Sequence, residues 1–312
     1  MLRWLLALAT LQYVVGRHTS NWAVLVCTSR YWFNYRHVAN TLAVYHILRE
    51  QGVPDSQIIL MLADDMPCNP RNDAPGAVFA SPDRLTNLYH RDVEVDYRGD
   101  EVTVENVLRV LTGRHPANTP ARKRLDTDGN ANVLLYMTGH GGEEFLKFHD
   151  KEELQSADLA HALTQMKHYQ RFRELLFVAD TCQAESLYRQ FSVPGVVAIG
   201  SSRTGENSYS YKHDDGLGLS VVDRFTSFSL RFFERSGGDA SIQQWVDSLT
   251  FSNLKSHVSH QSTLTRPLSQ VPLSDFFAAT SEMHLLPTPE ANDGDVEDDD
   301  FDLAAVSATL SQ

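Results

Sequence analysis

The sequence predicts an α/β fold, a mostly parallel sheet with helices on both faces. Three observations carry that prediction. Short runs at residues 22–28, Ile58–Leu62, 133–138, 175–180 and Val196–Gly200 are apolar at nearly every position, as strands covered on both sides must be. Helical patterns alternate with them, and strand–helix alternation implies crossover connections between parallel strands. The chain is 312 residues long and 42% hydrophobic, enough to bury a full core.

The N-terminus reads as an address. Arg3 precedes the apolar run Trp4-Leu5-Leu6-Ala7-Leu8-Ala9, and Gly16 comes just before the chain turns polar. This is the pattern of a secretory signal peptide over residues 1–16. The run falls short of the roughly 18–20 residues needed to span a bilayer, so a lumenal protein is expected. A single domain is expected over residues 21–286.

Within that domain, Tyr35–Glu50 sets Val38, Leu42, Tyr45 and Leu48 on one stripe, and residues 104–111 repeat the spacing. Residues 154–166 do so through Leu159, Leu163 and Met166, and all three segments read as helices. A further helix is expected over 219–234. Residues 67–82 and 114–130 are rich in Pro, Asn and Asp and read as surface loops. The segment Asp126-Thr127-Asp128-Gly129-Asn130 superficially resembles a calcium loop. It lacks the glycine at the sixth position and the glutamate at the twelfth, which is Met137; it reads as a turn.

Charge and cysteine usage exclude several classes. The formal charge is −13, but eight acids lie between Glu290 and Asp302 and no Lys or Arg follows Arg266. Without that block the charge is −5, and residues 287–312 read as an acidic, disordered tail, a solvated segment or a docking element for a basic partner. No basic excess is available for a nucleic-acid backbone. Three cysteines without a CxxC pair support neither a disulfide scaffold nor a structural zinc.

Two chemically capable residues end consecutive strands. The third run finishes as Tyr136-Met137-Thr138-Gly139-His140-Gly141-Gly142, and the fourth as Ala179-Asp180-Thr181-Cys182 before the helix-prone 183–190. Ligands of open α/β sheets bind outside the carboxyl ends of the strands, and sequential strands are commonly neighbours, which would bring His140 and Cys182 together. The glycines around His140 permit close backbone approach, with Gly141 N–H as an oxyanion donor. A helix beginning at Cys182 would lower its thiol pKa. Nucleophile, base and oxyanion donor together describe thiol acyl transfer.

With these motifs on hand, the chain resembles the legumain-like cysteine peptidases, which share a caspase-like fold. It is most similar to their branch of glycosylphosphatidylinositol (GPI) transamidase catalytic subunits. The stretches Asn21-Trp22-Ala23-Val24-Leu25-Val26-Cys27, Trp32-Phe33-Asn34-Tyr35-Arg36-His37, Cys68-Asn69-Pro70-Arg71 and Val93-Glu94-Val95-Asp96-Tyr97 carry the likeness, which runs from about residue 21 to 277.

The resemblance implies that Cys182 attacks a precursor protein to form a thioester, and that the ethanolamine amine of a GPI lipid then takes the acyl group. His140 would shuttle the proton and Asn34 would orient the imidazole; a loop asparagine holding its own turn is the other reading of Asn34. It further implies a substrate pocket at Arg36, His37, Asp180 and Ser201. A calcium site is implied at Asp55, Glu94 and Asp96 with the carbonyl of Ile58, against a merely solvated acidic face; Glu94 and Asp96 share one side of an extended segment. Cys27 lies in a core strand, so Cys68 is an odd exposed thiol, and the resemblance implies an intermolecular disulfide to a partner subunit, against a simple free surface thiol. Partner subunits in the endoplasmic reticulum membrane are expected to shield the site, since a thioester exposed to water would hydrolyse. Two rival functions are a free-standing asparaginyl endopeptidase and an idle scaffold that binds precursor tails.

Overall fold

The computed structural model describes residues 18–236 and 240–280. The signal peptide expected at 1–16 and the acidic tail expected at 287–312 lie outside the described residues, as do residues 281–286 of the expected domain.

In chain order the strands and helices are β1 (Ser20–Cys27), α1 (Tyr35–Glu50), β2 (Ile58–Leu62), β3 (Tyr97–Arg98), α2 (Val104–Thr112), β4 (Ala131–Thr138), β5 (Gly141–Gly142), β6 (Phe145–Phe148), β7 (Glu152–Gln155), α3 (Ser156–His168), β8 (Glu174–Asp180), β9 (Val196–Gly200), β10 (Ser210–Asp214), β11 (Leu219–Asp223), α4 (Arg224–Ser236), α5 (Ile242–Ser248), α6 (Phe251–Leu254), β12 (Ser259–Ser262) and α7 (Ser274–Phe277). The main sheet has the order β12-β9-β8-β4-β1-β2-β3. All its neighbouring pairs are parallel except β12 against β9.

Alternate residues of the central strands feed two cores. Leu25, Leu134 and Tyr136 face one side, under α1, α4, α5 and α7. Val24, Val133 and Leu135 face the other, under α2 and α3. Every residue of β4 is buried, because a helix layer covers each face, and period-2 alternation therefore vanishes from the sequence. Helix α2 shows the local reasons for its ends. Thr103 caps its first turn by accepting from Asn106 N–H, and Gly113 closes it at φ 70°.

The expected helices at Tyr35–Glu50 and 104–111 are present almost to the residue. Three expectations need correction. Leu154 belongs to β7, so the helix expected from 154 starts at Ser156. Residues 219–223 form a strand of the two-stranded hairpin β10–β11, and only from Arg224 does the chain turn helical. Leu219, Val221 and Val222 fit either period over so short a stretch, and pairing with β10 decides it. Residues 183–190 form no α-helix, only a 3-10 turn at Ala184–Leu187 entered through Gln183 at φ 54°. The small strands β3, β5–β7 and β12 were not expected; each has four residues or fewer, too short for a periodic signal.

Candidate active site

Strands β4 and β8 lie side by side with Thr138 opposite Asp180. Two residues further on each stand His140 and Cys182. Hydrogen bonds pin the strand ends: Thr138 Oγ1 donates to the Asp180 carbonyl at 3.0 Å, and Thr181 Oγ1 to the Gly139 carbonyl at 2.8 Å. Beyond His140 the chain enters β5, which pairs with β6, and Lys147 N–H donates back to the His140 carbonyl at 2.8 Å. The glycines are required here by space. A Cβ on Gly139 would fall 2.0 Å from Thr28 Oγ1, and one on Gly141 would fall 2.5 Å from Thr181 Oγ1 and 3.0 Å from the Cys182 carbonyl oxygen. Gly141 thus lies directly against the Thr181 hydroxyl and the Cys182 carbonyl.

Asn34 precedes α1 and is buried. Its Nδ2 donates to the Arg30 carbonyl at 2.6 Å, which leaves Oδ1, an acceptor, 2.8 Å from His140 Nε2. Nε2 must therefore carry the hydrogen, and Nδ1 of His140 holds the lone pair. Burial lowers the His140 pKa, with the nearby Arg36 charge adding to the effect, so the ring is a neutral base at neutral pH. Cys182 is half-buried, and its sulfur lies 3.9 Å from the Ser208 carbonyl. Burial, then the charges of Asp223 and Asp180, push its thiol pKa up. The lowered thiol expected from a helix at Cys182 is not found, because the 3-10 turn supplies no aligned peptide dipoles. The resting groups are thiol and imidazole, not thiolate and imidazolium.

Around this pair the expected pocket residues converge, with members the sequence did not reveal. Arg36 Nε donates to Asp223 Oδ1 at 3.0 Å, and Arg36 Nη1 to the Phe33 carbonyl at 3.1 Å. His37 lies edge-on to His140, with 5.1 Å between ring centroids; its Nδ1 is 2.8 Å from Ser29 Oγ, and burial holds it neutral. Asp223 is also gripped by Asn40, whose Nδ2 donates to Oδ2 at 2.6 Å and whose Oδ1 accepts from Asp223 N–H at 3.0 Å. Asp180 is buried and accepts from Ser208 Oγ and Thr226 Oγ1 at 3.0 and 2.8 Å. Burial, and next the charge of Asp223, raise its pKa. Ser201 is fully buried and grips Thr181: its hydroxyl accepts from Thr181 N–H and donates to the Thr181 carbonyl, which fixes the step before Cys182. Asp223, Asn40, Ser208 and Thr226 escaped the sequence reading. Asp223 ends a β-strand just as Asp180 does, and the largely apolar Leu219–Val222 closed by an acid was the available signal.

The remaining expected residues lie elsewhere. Cys27 is buried in β1, its thiol pushed up to about 12 by burial. Cys68 is exposed on its loop, and the Asp65 charge raises its thiol pKa. Asp96 is buried and accepts from Leu60 N–H at 3.0 Å, whereas Glu94 is exposed and Asp55 accepts from the Tyr45 hydroxyl at 2.6 Å. Ile58 opens β2. Burial raises Asp96 to about 6, with the charges of Asp55 and Glu94 contributing. Yet among the described residues no group of three or more His, Cys, Asp or Glu side chains is arranged to hold a metal ion.

Comparison with known proteins fits this architecture. The fold resembles the crystal structure of caspase-1 from Spodoptera frugiperda, with a TM-score of 0.50, 12% identity, and coverage of 85% of this chain and 93% of that one; at that identity the likeness concerns the fold alone. Relatives called GPI-anchor transamidase are 50% identical in Saccharomyces cerevisiae, over 85% of this chain and 65% of theirs. In Homo sapiens the identity is 56%, over 72% and 56%. In Schizosaccharomyces pombe it is 48%, over 90% and 76%. The chain thus spans about two thirds of the yeast relative's length and just over half of the human one. No helix among the described residues is long and apolar enough to cross a membrane. Residues 21–278, which hold both strand ends, Asn34 and the hairpin carrying Asp223, match the Peptidase C13 family, and the chain belongs to that family of cysteine peptidases.

Proposed function

We propose that the chain is the catalytic subunit of a GPI-anchor transamidase, with Cys182 as nucleophile, His140 as base and Asn34 as the group that fixes the base. The observation that carries the reading is the Asn34 Oδ1 to His140 Nε2 contact beside the β8 strand end. It reserves Nδ1 of His140 as the free acceptor for a thiol proton.

In the first half-reaction His140 Nδ1 takes the proton from Cys182 as sulfur bonds to the carbonyl carbon of the attachment residue. The oxyanion is met by the N–H of Gly141, and the imidazolium returns the proton to the departing amine of the C-terminal signal peptide, leaving a thioester. In the second, the primary amine of a GPI ethanolamine attacks the thioester, gives its proton to Nδ1, and forms the amide as the Cys182 sulfur leaves and is reprotonated. Neither half consumes an oxidant or a metal. Because both resting groups are neutral, Cys182 stays poorly nucleophilic until a bound carbonyl and oxyanion donor make attack favourable. That restraint suits an enzyme whose acyl intermediate must meet an amine before water. Arg36, His37, Asp180 and Ser201 are proposed to shape the pocket for the attachment residue, with Asp223 as a further member.

Work in the lumen of the endoplasmic reticulum, as one subunit of a membrane complex, completes the reading, with exposed Cys68 as the thiol joined to a partner. The decisive experiment supplies membranes carrying the full-length chain with a precursor bearing a C-terminal GPI signal and with hydrazine. A precursor hydrazide that disappears with Cys182→Ala is expected. Hydrolysis of peptides by the purified chain alone, without amine transfer in membranes, would support a free endopeptidase instead. Full GPI attachment by Cys182→Ala would leave only a scaffold. Non-reducing electrophoresis tests the link: a higher-mass adduct is expected from the parent chain and not from Cys68→Ser.

A further inference from the structure

His149 is a histidine that the chemistry above does not use, and its setting is unusual. It directly follows β6, and both it and Asp150 adopt the left-handed backbone, at φ 50° and 61°, which non-glycine residues avoid. The turn is tied down by His149 N–H donating to the Thr28 carbonyl at 3.0 Å. The side chain is 8% exposed. Its Nε2 lies 2.6 Å from the Val102 carbonyl; a carbonyl only accepts, so Nε2 carries the hydrogen and Nδ1 is a bare acceptor. That Nδ1 is buried and finds no hydrogen-bond partner among the described residues. Buried acceptors are nearly always satisfied.

His149 also lines a cavity of about 10 Å³ shared with Asn34, His140, Arg30, Lys147 and Asp150. Such a space is polar and just large enough for one water molecule.

We propose that His149 Nδ1 holds a single buried water against the Asn34–His140 pair, which makes His149 a positioning residue for the acyl transfer; this rests on the reading of Cys182 and His140 given above. The water donates one hydrogen to His149 Nδ1 and turns its oxygen toward the pair's side of the cavity. There its dipole favours the imidazolium that forms when His140 takes the thiol proton. Charged groups acting on His140 are Arg36, Lys147, Asp150 and Asp223, with the neutral His37 ring at its edge. The water adds a fixed dipole to that shell without adding charge.

The test uses the full-length chain in its membrane complex. A density map at atomic detail is expected to contain an ordered water within hydrogen-bond distance of His149 Nδ1, and a dry cavity overturns the proposal. His149→Leu fills the space without polar atoms. Cys182 acylation is expected to slow about threefold to tenfold, and the acid limb of the pH–rate profile to move down by about half a unit, since the imidazolium has lost a stabilising dipole. His149→Gln offers a donor and an acceptor on one amide much as the ring does, and is expected to restore both rate and limb. A limb that stays put in a folded His149→Leu protein, or a Gln variant no better than Leu, overturns the role. If His149→Leu does not fold, the map and the Gln variant decide. Should the parent chain form no acyl-enzyme at all, the catalytic reading fails, and the map alone decides whether His149 holds a water.

Discussion

The two flanks of the candidate site are positioned by different means. On one flank His140 and Cys182 each follow a central strand by two residues, and seven paired positions between β4 and β8 fix their offset. On the other, Asp223 ends the hairpin β10–β11, which is separate from the main sheet, and side chains hold it: Asn40 on its backbone and Oδ2, Arg36 on Oδ1. A backbone register survives most side-chain replacements, because its hydrogen bonds are main-chain. An aspartate whose carboxylate is held by two side-chain hydrogen bonds and whose N–H by a third depends on every partner. The strand-end flank should therefore fail only when the backbones are pushed apart, and the hairpin flank when a single charge is altered.

The largest expected effect tests the first claim. Gly141→Ala places a Cβ against Thr181 Oγ1 and the Cys182 carbonyl, so the two strand ends must separate. Displacing reacting groups by about 1 Å typically costs about a hundredfold in rate, and that loss of Cys182-dependent hydrazide formation is expected with the protein still folded. Activity kept within a fewfold of the parent would mean the register is not what aligns the pair.

An intermediate effect tests the hairpin flank. Asp223→Asn keeps the shape and removes the charge that pairs with Arg36 and raises the thiol pKa. Turnover is expected to fall about tenfold, as when a buried charge partner is lost. Alkylation of Cys182 by iodoacetamide at neutral pH should rise, because the thiolate is no longer disfavoured by that charge. Turnover and alkylation moving together would show that Asp223 acts only through general folding.

The smallest effect concerns Asp96 at the β3 edge, remote from both flanks in the order of strands. Its carboxyl is raised from 3.8 to about 6 by burial. A raised acid is favoured in its protonated form by the fold, so the stability it contributes is complete below pH 3.8 and is lost as pH climbs through 6. Asp96→Asn keeps an acceptor for Leu60 N–H and removes that loss. Melting temperature should rise at pH 7.5 and stay unchanged near pH 4. A variant equally stabilised at both pH values would sever the effect from the ionisation.

Legibility followed the same divide. The unbroken apolar runs of β2 and β9 and the long apolar stripe of α1 were readable to the residue, and so were His140 and Cys182 at the ends of their strands. Asp223 was not, because Ser220 interrupts the apolar residues of its strand and its neighbours in space come from α1, more than 180 positions earlier. The pKa of Cys182 was misjudged for a related reason. The local sequence suggests a helix and a lowered pKa, whereas burial, the charge of Asp223 brought from a distant strand end and that of nearby Asp180 raise it.

By itself, then, the amino-acid order determined the sheet-and-helix alternation, the two strand ends that carry His140 and Cys182, and the division of three thiols into a core residue, an exposed residue and one at a strand end. Each of these is encoded in short-range pattern, where hydrophobic period and glycine sterics act over a few residues. Tertiary structure alone decided the tautomer of His140, the neutral state of the Cys182–His140 pair, the grip of Asn40 and Arg36 on Asp223, and the orphaned nitrogen of His149. Those depend on desolvation and on partners distant in sequence, and electrostatics in a buried site is set by what surrounds a group in space.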